Sequence, residues 1–349
     1  MARSIPREAG DWEGKPVQAL PSYADLLARR DGPPGSSWGV FGAHDEVGTL
    51  NFLTPDSVRH AATLVRRGAV FSLDHPLDRF DPPIARSRRV PRHTIFSNSP
   101  HHRDDHLDGL YLQATSQVDG LRHFRHPDHG FYNGVPDEAV AAGSPTIGVN
   151  RYAERGIVGR GVLIDVDRHV RRAWGRPLDH RAGEGFPAAL LDEAAAAQGV
   201  SFRPGDLLVM RTGWLDCYFN EMSPEERQAM PGNLRSPGLE QSHDTLAWLW
   251  DRRIAMGASD NAGFEAIPAR ADSPFVSEAD RRAGRDPIHA GLMHPAMIAL
   301  LGLCIGELWD LEALAADCAR SGVWEFLLVV KPLHVVGGVG SPANATAIL

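Results

Sequence analysis

Four side chains in the stretch YLQATSQVDGLRH, residues 111–123, have types and spacing suited to metal or acid–base chemistry: Gln113, Gln117, Asp119 and His123. In an extended chain Gln113, Thr115, Gln117 and Asp119 share one face, because side chains alternate with a period of two. Leu112, Ala114, Ser116 and Val118 take the other face. A bend at Gly120 then sets Asp119 and His123 side by side, four residues apart on a turn. A carboxylate and an imidazole so placed can ligate one divalent cation, although the same spacing also arises in solvated turns. Glutamine is a poor metal ligand, because an amide oxygen is neutral and weakly basic. Two of them in such a segment require an explanation.

A second segment, DPIHAGLMHPAMIALLGLCIGELWD at 286–310, carries His294 and Glu307. Glu307 stands inside an apolar strand-like run, where an unpaired carboxylate costs several kcal/mol to bury, of order 2–7 for a polar group. A metal or a cationic partner removes that cost. His294 opens an apolar helix, whose dipole favours the neutral imidazole, the metal-binding form. His289 is the alternative if His294 is not a ligand.

Seven of the sixteen histidines fall between His93 and His129, among Asp104, Asp105, Asp108, Asp119 and Asp128. From this cluster His101, His102, Asp105 and His106 are candidates for the group that protonates a leaving atom, with a solvated polar loop as the plain alternative. Tyr132 and Asn133 in FYNG are candidates to contact substrate, and Asp260 and Glu265 in GASDNAGFEAIP to support the site. Phe41, Tyr111, Phe131, Trp214 and Phe264 also lie near these motifs in sequence and offer apolar lining.

Together, Gln113-x-Thr-Ser-Gln117-x-Asp119-x-x-x-His123, the later His294 and LCIGE307 resemble the cyclase-type metal-dependent hydrolases. That family includes kynurenine formamidase, isatin hydrolase and trans-dienelactone hydrolase. WGVFGAHDEVGTLNFLTPDSV, GVLIDV, GDLLVMRTGW and KPLHVVGGVGSPANATAI extend the likeness over residues 38–349. The resemblance implies a compact α/β domain with a mixed sheet, of the swivelling β/β/α kynurenine formamidase-like type. It implies one divalent ion, Zn²⁺ favoured and Mn²⁺ possible, held by Asp119, His123, His294 and Glu307. Gln113 and Gln117 stand where the family has two histidines of a second metal site, so they are expected to form a substrate-binding wall. The implied activity is opening of a lactone or cyclic amide by a metal-bound water. The alternatives are a cyclase or lyase using the same ion as a Lewis acid, and a binding protein with a decayed site.

Several elements must position these groups. Thr54 and Pro55 begin a helix expected to run to Gly68, and AVFSLDHPL alternates as a strand. Residues 78–109 show little periodicity and are expected to cross the surface. GRGVLIDVDRHV, SFRPGDLLVMRTGW and IAMGASD read as strands, and LEQSHDTLAWLWDRR, AMIALLG and LEALAADCARSG as helices. EFLLVVKPLHVVGG is expected to supply a final strand pair. No glycine-rich phosphate loop occurs. One domain at 38–349 follows, preceded by an arm at 1–37.

Composition sets the outer bounds. The 349 residues are 43% apolar and 23% charged, ordinary for a globular protein with a sizeable core. A net charge of −8 without a basic block makes nucleic acid and anionic membranes unexpected partners, leaving a small-molecule substrate and a homo-oligomer (dimer or tetramer). Three cysteines without CxxC spacing, no leader-like N-terminus and no run near 20 apolar residues lead to the expectation of a cytoplasmic protein.

Overall fold

The strands of highest apolar content form the centre of the molecule. The computed structural model describes residues 20–349, so the N-terminal stretch read for a leader lies outside the described residues. In chain order the strands are β1 (Val70–Ser72), β2 (Arg92–Ser99), β3 (His102–Asp108), β4 (Gln117–Asp119), β5 (Ile157–Asp165), β6 (Gly185–Phe186), β7 (Leu207–Arg211), β8 (Gly238–Leu239), β9 (Met256–Ser259), β10 (Cys304–Glu307), β11 (Glu325–Val330), β12 (Gly340–Pro342) and β13 (Ala345–Ile348). Nine of them make one mixed sheet in the order β1-β13-β11-β5-β7-β9-β10-β4-β12.

Its middle, β5-β7-β9-β10, is parallel, while both flanks pair antiparallel. Parallel strands are covered on both faces and so read as unbroken apolar runs. Val162, Leu163, Ile164, Leu207, Leu208, Val209 and Met210 are all fully buried there. Each such side chain contributes roughly 1.5–3 kcal/mol by leaving water. This is the expected single α/β domain with a mixed sheet.

The start of the described chain packs against the rest of the molecule. Ser22 caps the helix Tyr23–Ala28, Tyr23 N–H donates to Asp251 Oδ1, and Trp250 Nε1 donates to Pro21 O. The helix at Pro55 begins as expected, with Thr54 and Ser57 capping each other. It ends at Ala62 rather than near Gly68, where the Thr63 hydroxyl turns back to bond His60 O. Only EFLLVV of the expected C-terminal pair is a strand. Pro332 lacks the N–H a ladder needs, and β11 pairs with the later β13 instead.

Residues 92–108 fold as the hairpin β2–β3, pairing Arg92 with Asp108 and Phe96 with Asp104. It was expected as irregular surface. Nearly every residue of both strands is exposed, so no buried face imposes the alternation that marks a strand in sequence. Among the described residues no helix is long and apolar enough to cross a membrane.

Candidate metal centre

The short strand β4 lies between β10 and β12, and its registers decide which side chains meet. Gln117 stands opposite Glu307, Asp119 opposite Ile305, and Gly340 of β12 opposite Asp119. Residues directly opposite in an antiparallel pair project to the same side, as do alternate residues of one strand. Gln117, Asp119 and Glu307 therefore converge on one face. A side chain at Gly340 would press on Gln113 at 2.9 Å, so the glycine leaves the space across which Gln113 lies.

His294 arrives from the turn before the wide helical segment Pro295–Leu300. Asp119, His294 and Glu307 each place a ligand atom within 4.8 Å of the others, and all three are buried. His294 Nε2 is 3.0 Å from Glu307 Oε1. Its other nitrogen, Nδ1, lies 2.5 Å from Glu265 Oε1. Glu265 is itself fixed by the Met293 and His294 N–H groups and by Gln241 Nε2 at 2.7 Å. A carboxylate only accepts, so Nδ1 carries hydrogen and Nε2 is the nitrogen turned to the other acids. Glu265 thus holds the orientation of His294, the supporting position expected of it. Asp260 does not join the group. Its oxygens accept from Thr212 N–H, Thr212 O–H and Gly213 N–H.

The charge of this pocket is unbalanced. Burial opposes a charge on His294, but its hydrogen bonds to Glu265 and Glu307 outweigh that and raise its pKa well above the usual imidazole value. In the metal-free site, two facing carboxylates act on His294 at closer range than a one-turn helix dipole, so the neutral imidazole expected at the helix start is not favoured until an ion replaces the proton. Even so, three buried carboxylates face one imidazolium.

Asp119 Oδ2 is buried with no hydrogen-bond partner. A carboxylate oxygen held without a donor costs about 1–3 kcal/mol or more unless something cationic meets it. One imidazole and two carboxylates, with a second imidazole close by, make a donor set of the kind that holds a divalent cation. The residues present fit a divalent ion.

His123 stands at the edge of the group. Its Nε2 is 3.8 Å from Asp119 Oδ2 and its side chain is 20% exposed. Gln113 Nε2 donates both to Asp119 Oδ1 at 3.0 Å and to His123 Nδ1 at 2.7 Å. Accepting at Nδ1 puts the His123 hydrogen on Nε2. Ligation through Nε2 therefore requires the Gln113 amide to turn and present its oxygen. Thr115, expected on the same face, instead donates its hydroxyl to Pro76 O, since residues 112–116 form turns rather than a strand.

Other expected residues lie elsewhere. His102, Asp105 and His106 are exposed on the hairpin and pair within it, His102 with Asp104, His93 with Asp105 and His106 with Asp108. His101 at the hairpin turn is also exposed, and so is His289. None of them forms a hydrogen bond or ion pair with the site among the described residues. Tyr132 is fully buried and donates its hydroxyl to Asp45 Oδ2 at 2.8 Å, which takes it out of reach of a substrate. Asn133 accepts from Gly39 N–H and donates to the Gly42 and Ala43 carbonyls, pinning two loops together.

Three contributors escaped the sequence reading. Phe124 packs its ring against both imidazoles, 4.7 Å from His123 and 5.0 Å from His294. Gln241 holds Glu265 from a different element. Arg88 reaches Gln113 O and Gln117 Oε1 through Nη1. Only the position of Phe124, next to His123, was a signal available in the sequence.

Comparison with known proteins identifies the family and the fold. A family model described as "Putative cyclase" matches residues 71–266. A novel cyclase known from its crystal structure is 32% identical, over 90% of this chain and 99% of its own, with a TM-score of 0.75. Isatin hydrolase A from Ralstonia solanacearum is 16% identical over 82% of this chain and 93% of its own, with a TM-score of 0.52. Isatin hydrolase A from Labrenzia aggregata, also 16% identical, covers 82% and 94% with a TM-score of 0.51. At that identity the two hydrolases share the fold. Among the curated proteins none matches. With more than half its length matched and a relative aligned along nearly all of it, the chain belongs to the cyclase family.

Proposed function

We propose that the protein is a metal-dependent hydrolase that opens a lactone or cyclic amide. The observation that carries this reading is the buried group of Asp119, His294 and Glu307 with Asp119 Oδ2 left without a hydrogen bond. Asp119, His294 and Glu307 would hold the ion, joined by His123 once Gln113 turns. A divalent ion there supplies Lewis acidity toward a carbonyl oxygen and lowers the pKa of water toward ~7.

The chain's own residues do the rest. Glu265 keeps His294 Nε2 turned inward, and Gln113 ties Asp119 to His123. Gln117 donates Nε2 to Glu307 Oε2 at 2.5 Å, which fixes that carboxylate. Phe124 packs against both imidazoles and presents an apolar ring beside them. In the reaction water oxygen joins the carbonyl carbon, the ring C–O or C–N bond breaks, and a proton passes to the leaving atom. The product is an open-chain carboxylic acid.

The similarity to proteins called isatin hydrolases supports this reaction class and suggests isatin beside simple lactones as a trial substrate. The family's description as a cyclase favours a second reading, ring closure at the same site. The test is purification without chelator, metal analysis, and incubation with 3,4-dihydrocoumarin, isatin and, separately, the open-chain acid of dihydrocoumarin. Metal-dependent products heavier by one water are expected. Absence of any bound or activating divalent ion overturns the proposal, and a product lighter by one water from an open-chain acid supports ring closure instead.

A further inference from the structure

We propose that Arg88 is the residue that binds a carboxylate in this site, either one carried by the substrate or the one that ring opening creates; this rests on the hydrolase reading above. Arg88 lies in the irregular stretch between β1 and β2 and is half-buried. Its Nη1 donates to Gln113 O and to Gln117 Oε1, the latter at 3.3 Å. The orientation of the Gln117 amide follows from both of its ends. A carboxylate that only accepts meets its nitrogen, and a guanidinium that only donates meets its oxygen. Gln117 therefore links Arg88 to Glu307 and sets the guanidinium beside the metal-binding group.

Two features mark this arginine as an anion site. First, among the described residues no Asp or Glu lies in an ion pair with Arg88, and both of its side-chain acceptors are neutral oxygens. A partly desolvated cation without a counter-ion is unfavourable, and an anionic ligand relieves it. Second, its side-chain hydrogen bonds run from Nη1 alone. The Nε and Nη2 hydrogens form the edge that grips a carboxylate with two parallel bonds, and they have no partner among the described residues.

Arg122 shows the contrast. It is buried beside His123 in sequence and also lacks a carboxylate partner, but it spends Nε, Nη1 and Nη2 on the carbonyls of Thr146, Val140, Ala141, Gly337 and Ser144. Arg122 is saturated and holds loops together. Arg88 is anchored on one side and open on the other. It stands with Gln113, His123 and Phe124, the half-buried members of a site whose remaining residues are buried, so these four form its solvent side.

The experiment uses the metal-loaded enzyme and the variants Arg88→Gln and Arg88→Lys. The probes are 3-(2-hydroxyphenyl)propanoate, which is the open form of dihydrocoumarin, and its neutral primary amide, each titrated by calorimetry. Arg88→Gln is expected to weaken the acid on the order of tenfold or more, as for loss of a charged hydrogen bond, and the amide by less than about twofold. Arg88→Lys should recover part of the difference, because it keeps the charge without the fork. Metal content should stay at the wild-type level in both variants. Equal losses for acid and amide would show that Arg88 only props Gln117, and would overturn the proposal. So would a wild-type enzyme that does not bind the acid at all. If acid binding depends on Arg88 while no lactone or cyclic amide is turned over, the hydrolase reading fails and the carboxylate site remains.

Discussion

The carboxyl ends of the four parallel strands carry two buried polar clusters built in opposite ways. At the ends of β5 and β7, Arg211 bonds Asp165, Asp167 and Glu312, while Arg168 and Arg171 add further contacts to the two aspartates. Acids and cations are matched within the chain. At the end of β10, against β4, Glu307 and Glu265 both bond His294, Asp119 lies with them and has only the half-buried His123 at 3.8 Å, and Arg88 meets the group through Gln117. The first arrangement is complete without a ligand; the second has its charge unbalanced and one carboxylate oxygen without a hydrogen bond. Both clusters lie where ligands gather in open α/β sheets, so position alone does not separate them. Charge balance does.

The sharpest way to break this contrast is to remove the ligand side chains of the second cluster. Asp119→Ala, His294→Ala and Glu307→Ala should each take bound metal from one equivalent to nearly none by elemental analysis, while the chain still folds. His123→Ala should cost less, given its place at the edge. Asp119→Asn should also raise the melting temperature of the metal-free protein by relieving buried negative charge. Full metal occupancy in Asp119→Ala would show that the second cluster is as self-sufficient as the first.

Arg211→Met should do the reverse. It leaves Glu312 and two buried aspartates short of a partner and should lower stability by about 3 kcal/mol or more in denaturant titrations. Metal content of the surviving folded fraction should not change. An intermediate effect belongs to Glu265→Gln, which keeps the shape but weakens the hold on His294 Nδ1. Metal affinity should fall about 10–100-fold, read by competition with a chelating dye.

The pH response should also separate metal-free from loaded protein. The raised pKa of His294 means that its contribution to metal-free stability is fully present below about pH 6.5, the unfolded value, and is lost as pH rises toward the folded value. An ion must displace the proton on Nε2, so loading should release about one proton at neutral pH. Calorimetry in buffers of different ionisation enthalpy checks this, and zero release would place the ion elsewhere. The smallest effect is expected on the hairpin. His102→Ala with His106→Ala should shift stability by no more than about 0.5 kcal/mol and leave metal content unchanged; a lost ion would bring the hairpin back into the site.

Much of the scaffold was legible because burial leaves a period in sequence. The runs of β5 and β7 read directly as buried strands, and Thr54-Pro55 marked a helix start. The hairpin was not legible, since neither of its faces is buried. Tyr132 read as a substrate contact from its place beside the motif, yet it packs into the core and bonds Asp45, 87 residues away in sequence.

Within the site, the sequence by itself determined the donor types and their local neighbours: Asp119 beside His123 across one turn, Gln117 on the same strand face as Asp119, and a lone Glu307 in an apolar strand. Tertiary structure decided the rest. Gln117 meets Glu307 across 190 residues through the β4–β10 register, and Glu265 meets His294 across 29. Arg88 comes in from an irregular segment with no period at all. The reason is physical: spacing along a strand or turn fixes only neighbours within a few residues. Which acid faces which base across strands, and which arginine is left with an open edge, depends on register and packing across the whole sheet.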